Sequence, residues 1–137
     1  MQFCDPYNPT ERELRDWAVE SSAIPPMQDW DLVLSWKMET GRLRTCVELA
    51  GKMHSTKAMY FLQVLYSWVS VVAKDDQFET YRSMYDRWLE SARGAEDAAV
   101  NRWRHKASLV FQGREPFERD CWWAQFAQEI VAAADPS

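Results

Sequence analysis

Apolar residues run almost unbroken from Ala58 to Ala73, AMYFLQVLYSWVSVVA. Only Gln63, Ser67 and Ser70 interrupt the run. With Lys74 they recur at i, i+4, i+7 and i+11, which places them on one narrow stripe of a helix that is apolar elsewhere. Such a helix is either buried in a core or spans a bilayer. At sixteen residues the run falls short of the roughly 20 a bilayer requires. Tyr60, Tyr66 and Trp68 are not gathered at its ends as interfacial anchors are, so no membrane is expected. A single strand of this length is rare, and the polar stripe has the helical period. Burying the run gains about as much as fixing its backbone costs, so the helix must be held by helices packed around it.

The flanking pattern predicts those helices. Residues 1–9 read as an irregular arm broken by Pro6 and Pro9. Thr10 and Glu13 form a T-x-x-E capping box, which starts a helix at Glu11 with Leu14, Trp17 and Ala18 inward; Ile24-Pro25-Pro26 ends it. Asp29 is placed to cap a second helix from Trp30. That helix carries two apolar stripes. Trp30, Val33, Leu34 and Met38 form one; Leu32 and Trp36 form the other, and Leu43 joins them if the helix is continuous over residues 30–43. Gly41 is the natural terminator. A third helix covers about Leu43 to Met53. Ser55 or Thr56 caps the central helix. Asp76 and Glu79 open the next, Gln77 to Arg93, with Phe78, Tyr81, Tyr85, Trp88, Leu89 and Ala92 inward and an Arg82–Asp86 pair outward. Another runs from about Ala95 to Phe111, with Val100, Trp103, Ala107, Val110 and Phe111 inward and a basic outer patch of Arg102, Arg104, His105 and Lys106. Gly113 stops it. Pro116 opens the last helix, whose inner set is Phe117, Trp123, Phe126, Ala127, Ile130, Val131 and Ala134.

This predicts an all-α fold over residues 1–137 as a single domain, an irregular antiparallel helical bundle of six or seven helices around a central buried helix. The alternative is a short α-solenoid of stacked helical hairpins. An echo at an offset of 38 supports it: Leu62, Leu65, Val69 and Val72 recur as Val100, Trp103, Ala107 and Val110. Any two amphipathic hairpins of equal length align in this way, so the bundle is preferred.

Charge and composition narrow the function classes. The net charge is −5, whereas a nucleic-acid binder needs a basic surface. The basic patch is small and isolated, so no nucleic-acid partner is expected unless it extends across several helices. The first residues have neither a basic start nor an apolar core, which predicts a cytoplasmic protein. Three widely spaced cysteines predict free thiols. Eleven arginines against five lysines is a usage that suggests a GC-rich bacterial source.

Candidate chemistry is sparse. There are two histidines, His54 at a helix boundary and His105 in the basic patch. A thiol–imidazole pair of Cys46 and His54 needs the fold to bring them together, and a small buried hydrophobe is the plainer role for Cys46. No C-x-x-C, H-x-x-x-H, G-x-G-x-x-G or P-loop is present. The paired acids, Asp29/Asp31, Asp75/Asp76 and Glu115/Glu118, stand at helix starts, where they suit the dipole. No catalytic, metal or cofactor-binding residue is assigned, and the reading leans away from an enzyme.

The eight tryptophans are the unusual feature. Six fit inner stripes; Trp36 and Trp122 do not. Exposed tryptophan is a favoured binding anchor, so Leu32, Trp36, Leu43 and Trp122 are the candidate partner-binding residues. The competing account covers Trp36 and Trp122 with the N-terminal arm. The leading expectation is a non-enzymatic interaction protein of the immunity or adaptor kind that binds another, basic protein; self-association is left open. The alternative is a small-ligand binder or enzyme with a tryptophan-lined pocket, for which Gln63, Ser67 and Ser70 supply the polar groups.

Overall fold

A computed structural model describes residues 2–20, 22–51, 56–93 and 97–134. Among these the chain forms seven helices and no strand: α1 (Glu11–Ala18), α2 (Trp30–Trp36), α3 (Thr40–Ala50), α4 (Ala58–Ala73), α5 (Phe78–Ser91), α6 (Ala98–Phe111) and α7 (Arg119–Ala134). The apolar run is α4, with the bounds its pattern predicts. It is buried on nearly every side, and α2, α3, α6 and α7 pack around it. The expected all-α architecture around a central helix is what forms.

Three aromatic clusters mark where α4 meets its neighbours. Near its start, Tyr60 and Phe61 meet Trp17, and Tyr60 stacks on Trp30. On another side, Tyr66 meets Trp122, Trp123 and Phe126 of α7. Towards its end, Trp68 meets Tyr85 and Trp88 of α5 and Trp103 and Phe111 of α6. Edge-on and offset ring pairs of this kind add to what area burial alone contributes.

The arrangement is irregular in its first half. α5 and α6 form an antiparallel hairpin: Asp86 accepts from Ser108, while Arg104 reaches back to the Ala92 carbonyl. α2, by contrast, runs alongside α4 in the same direction. Trp30 stacks on Tyr60, Gln63 donates to Asp31, and Ser35 donates to the Val64 carbonyl.

Several local expectations are met and several corrected. The capping box of α1 is complete, the Thr10 hydroxyl accepting from Glu13 N and the Glu13 carboxylate from Thr10 N. Gly113 ends α6 with a positive φ of 72°. Asp29 does not cap α2 with its side chain: its backbone is left-handed, φ 58°, not in the extended region from which a carboxylate reaches first-turn amides. Gly41 does not end α2, which stops at Trp36. Glu39, in extended conformation, caps α3 by accepting from Gly41 N and Arg42 N. Gly41 lies in the first turn of α3, where a Cβ would meet the Glu11 carboxylate at 2.6 Å. Thr56 binds the Ala18 carbonyl at the end of α1 and does not cap α4; Ser55 and Met53 lie outside the described residues. Asp97 caps α6 by accepting from Ala99 N and Val100 N. The last helix begins at Arg119, three residues after Pro116.

The arm is ordered by a buried arginine. The Arg42 guanidinium donates to the Lys37 carbonyl, to Asn8 Oδ1 and to the Pro9 carbonyl. The arm covers Trp30, whose indole donates to the Pro6 carbonyl at 2.8 Å while Phe3 packs edge-on to its ring.

Candidate binding groove at Trp36

α2 is only two turns long, and its buried side takes Trp30, Leu34 and Ser35. Ser35 bonds both the Asp31 carbonyl of its own helix and the Val64 carbonyl of α4, which fixes the rotation of α2 on α4. That rotation turns Leu32 and Trp36 outward, one turn apart. Trp36 is 69% exposed.

Trp36 stands at one wall of a groove of about 370 Å³ between the end of α2, the second half of α4 and α5. Ser35, Met38, Val71 and Val72 line it together with Trp68, Tyr85 and Trp88, and Asp75 is its one charged residue among those described. The Trp68 and Trp88 planes are within 8° of parallel, centroids 6.5 Å apart. Tyr85 stands edge-on to both, at 6.0 and 5.6 Å. Burial, and then the charge of Asp75, push the Tyr85 phenol above its ordinary pKa, so it is neutral and apart from its hydroxyl apolar. Asp75 accepts from Gln77 N through one oxygen and forms no ion pair among the described residues.

Of the four residues expected to meet a partner, Leu32 and Trp36 are exposed and the other two are not. Leu43 is 0% exposed, because the helix breaks after Trp36 and Leu43 belongs to the inner side of α3. Trp122 is 5% exposed. Its indole donates to the Tyr66 carbonyl at 2.9 Å, and the Tyr66 and Phe117 rings pack on it, not the N-terminal arm. The arm covers neither Trp36 nor Trp122.

The polar stripe of α4 does not line this groove. Gln63 is half-buried and donates to Asp31; Ser67 and Ser70 are buried between helices, and the Ser67 hydroxyl has no partner among the described residues. Pattern reading missed Asp75, read as one of a pair of acids at a helix start, and Tyr85 and Trp88, read as inward residues of their helix. Only Leu89 of α5 is fully buried, so the rings of its apolar stripe stop short of the core where the helix packs on α6 and α3.

Elsewhere the candidate chemistry is used structurally. Arg102 makes a two-pronged bond to Glu129 at 2.6 and 2.7 Å, and Lys106 lies 3.5 Å from Glu115. Arg104 donates to Asn101 and the Ala92 carbonyl. The basic patch is therefore largely spent on neighbours. Arg82 pairs with Glu79, not with Asp86. Cys4, Cys46 and Cys121 are free, and burial pushes the Cys46 thiol up to about 12 against the opposing charge of Arg42, so it is no thiolate nucleophile. His54 lies outside the described residues. Among the described residues no group of three His, Cys, Asp or Glu side chains is placed to hold a metal ion, and no helix is long and apolar enough to cross a membrane.

Comparison of the chain with protein-family models, with curated proteins and with solved structures finds no match.

Proposed function

We propose that the chain is a non-catalytic protein-interaction domain that docks its partner at the groove beside Trp36. The observation that carries this reading is the exposure of Trp36 above a wall of further aromatic rings. A large ring left in water at the head of a concave aromatic surface is the composition of an interface anchor and its pocket. Asp75 lines the groove and Glu39 directly follows its lining residue Met38; both are exposed, on a chain of net charge −5. A basic partner is therefore favoured, and salt should slow its association. An adaptor, or an inhibitor that covers a basic protein, in the cytoplasm, is the role that fits.

The test compares wild-type protein with Trp36→Ala and, as a control, Val131→Lys, exposed near the end of α7 and outside the groove lining. Proteins recovered with tagged wild type from the source cells should be lost with Trp36→Ala and kept with Val131→Lys, at equal melting temperature. Equal recovery with Trp36→Ala would end the proposal.

The second reading is a small-ligand binder. The volume of the groove favours it, since about 300 Å³ is enough for a small-molecule site. The polar groups expected for it, Gln63, Ser67 and Ser70, would not serve, which leaves Asp75 and Ser35 to orient such a ligand.

A further inference from the structure

We propose that the groove is a receptor for one cationic side chain, a lysine or arginine carried by the partner protein. This rests on the docking reading above and names what enters. Three kinds of side chain present themselves, and the lining separates them. An acidic one would be repelled by Asp75, the only charged residue lining the groove among the described residues. A purely apolar one would fit the rings but strip water from the Asp75 carboxylate, which has one backbone amide and no cation to compensate it. A cationic one satisfies both parts. Its methylene stem lies against Met38, Val71 and Val72, and its head meets the carboxylate and the faces of the indoles. Among the described residues no lysine, arginine or histidine lines the groove, so none of them occupies that role.

The chain already uses this pairing once, inside its own fold. The Lys57 ammonium sits 4.5 Å above the Trp17 ring and donates to the Trp17 and Glu20 carbonyls. Ring face on one side and oxygen on the other hold the cation there. At the groove the rings of Trp36 and Trp88 and the oxygens of Asp75 offer the same two partners to a cation from outside.

The experiment follows the indole N–H resonances of the full chain by NMR during titration with short glycine-flanked peptides. Their central residue is lysine, arginine, norleucine, citrulline or glutamate, and free choline is run beside them. Norleucine and citrulline keep the stem and shape while removing the charge. The lysine or arginine peptide should shift the Trp36 and Trp88 signals, and the uncharged peptides should bind about fivefold more weakly or worse. Asp75→Asn keeps the acceptor for Gln77 N and removes the charge, so it should weaken the cationic peptides several-fold and leave norleucine unchanged. Trp36→Ala should weaken every peptide. If norleucine binds as well as lysine, the cationic receptor is wrong while docking at the groove stands. If no peptide shifts these signals, both readings fail. If choline alone does so, the groove is a small-molecule site and both are again overturned.

Discussion

Trp36 and Trp122 are alike in the sequence and opposite in the structure. Each stands beside the most apolar line of its helix, and each is a large ring with an N–H to satisfy. Trp36 ends 69% exposed and Trp122 ends 5% exposed. The difference lies in which line of the helix turns inward. In α2 the apolar line is the inner one, because Trp30 and Leu34 seat the helix and Ser35 pins it to α4. In α7 it is not. The inner line there is Trp122, Phe126 and Glu129, and the line that counts as more apolar leaves Ile130 and Val131 in water. Glu129 tolerates burial because Arg102 of α6 meets it with two hydrogen bonds. The rotation of α7 that buries the rings of Trp122 and Phe126 thus also buries a charge, which Arg102 compensates.

The largest effect expected from this contrast is at Trp122. Trp122→Ala empties a packed site and removes the indole's hydrogen bond to the Tyr66 carbonyl, which should cost about 3–5 kcal/mol in denaturant unfolding. A loss below about 1 kcal/mol would mean that α7 is rotated otherwise. Next comes Arg102→Ala, which strands the Glu129 carboxylate in its buried position. A cost of about 2 kcal/mol is expected, less than for a fully buried pair because Arg102 is half in water. Glu129→Gln in the same chain should recover most of it.

The arm explains why Trp30 is covered and Trp36 bare, and it should respond to acid. The Glu13 carboxylate accepts from Thr10 N and Cys4 N, and these backbone bonds hold its pKa below the ordinary 4.5. A pKa lowered on folding gives stability that is present above the unfolded value and lost as pH falls through the folded one. The protection of the Cys4 and Thr10 amides, relative to the intrinsic exchange rate at each pH, should therefore fall once pH drops below about 4.5, and Glu13→Gln should remove that dependence. Thr10→Ala, which deletes the other half of the box, should cost about 1 kcal/mol at neutral pH.

The smallest stability changes are expected where the pattern placed core. Val131→Lys and Trp36→Ala should each move the unfolding free energy by no more than about 0.5 kcal/mol. If Val131→Lys instead costs as much as a core substitution, the outer face of α7 is occupied and the contrast with α2 collapses.

How much of this was legible follows from the range of the forces involved. α4 and the capping box of α1 are set by residues within a turn or two, and both were readable. The break between α2 and α3 carries no glycine or proline at the break itself. It depends on Glu39 folding over the next turn and on Arg42 reaching Asn8 and Pro9, far earlier in the chain. That non-local anchor is why Leu43 was placed on the surface with Trp36. For the candidate groove, Trp36 was legible as an apolar residue left over by its own helix. Tyr85, Trp88 and Asp75 were not, because only the packing of α5 shows which of its rings stop short of the core.

The distribution of the indoles has an optical consequence. Five of the eight tryptophans are buried, Trp88 and Trp123 are half-buried, and Trp36 alone is exposed. A collisional quencher confined to water, such as iodide, will extinguish the red-shifted emission of Trp36 first and leave the bluer light of the interior. The chain thus carries an unlabelled reporter at the head of its groove, and whatever docks there shields the fluorophore most open to water.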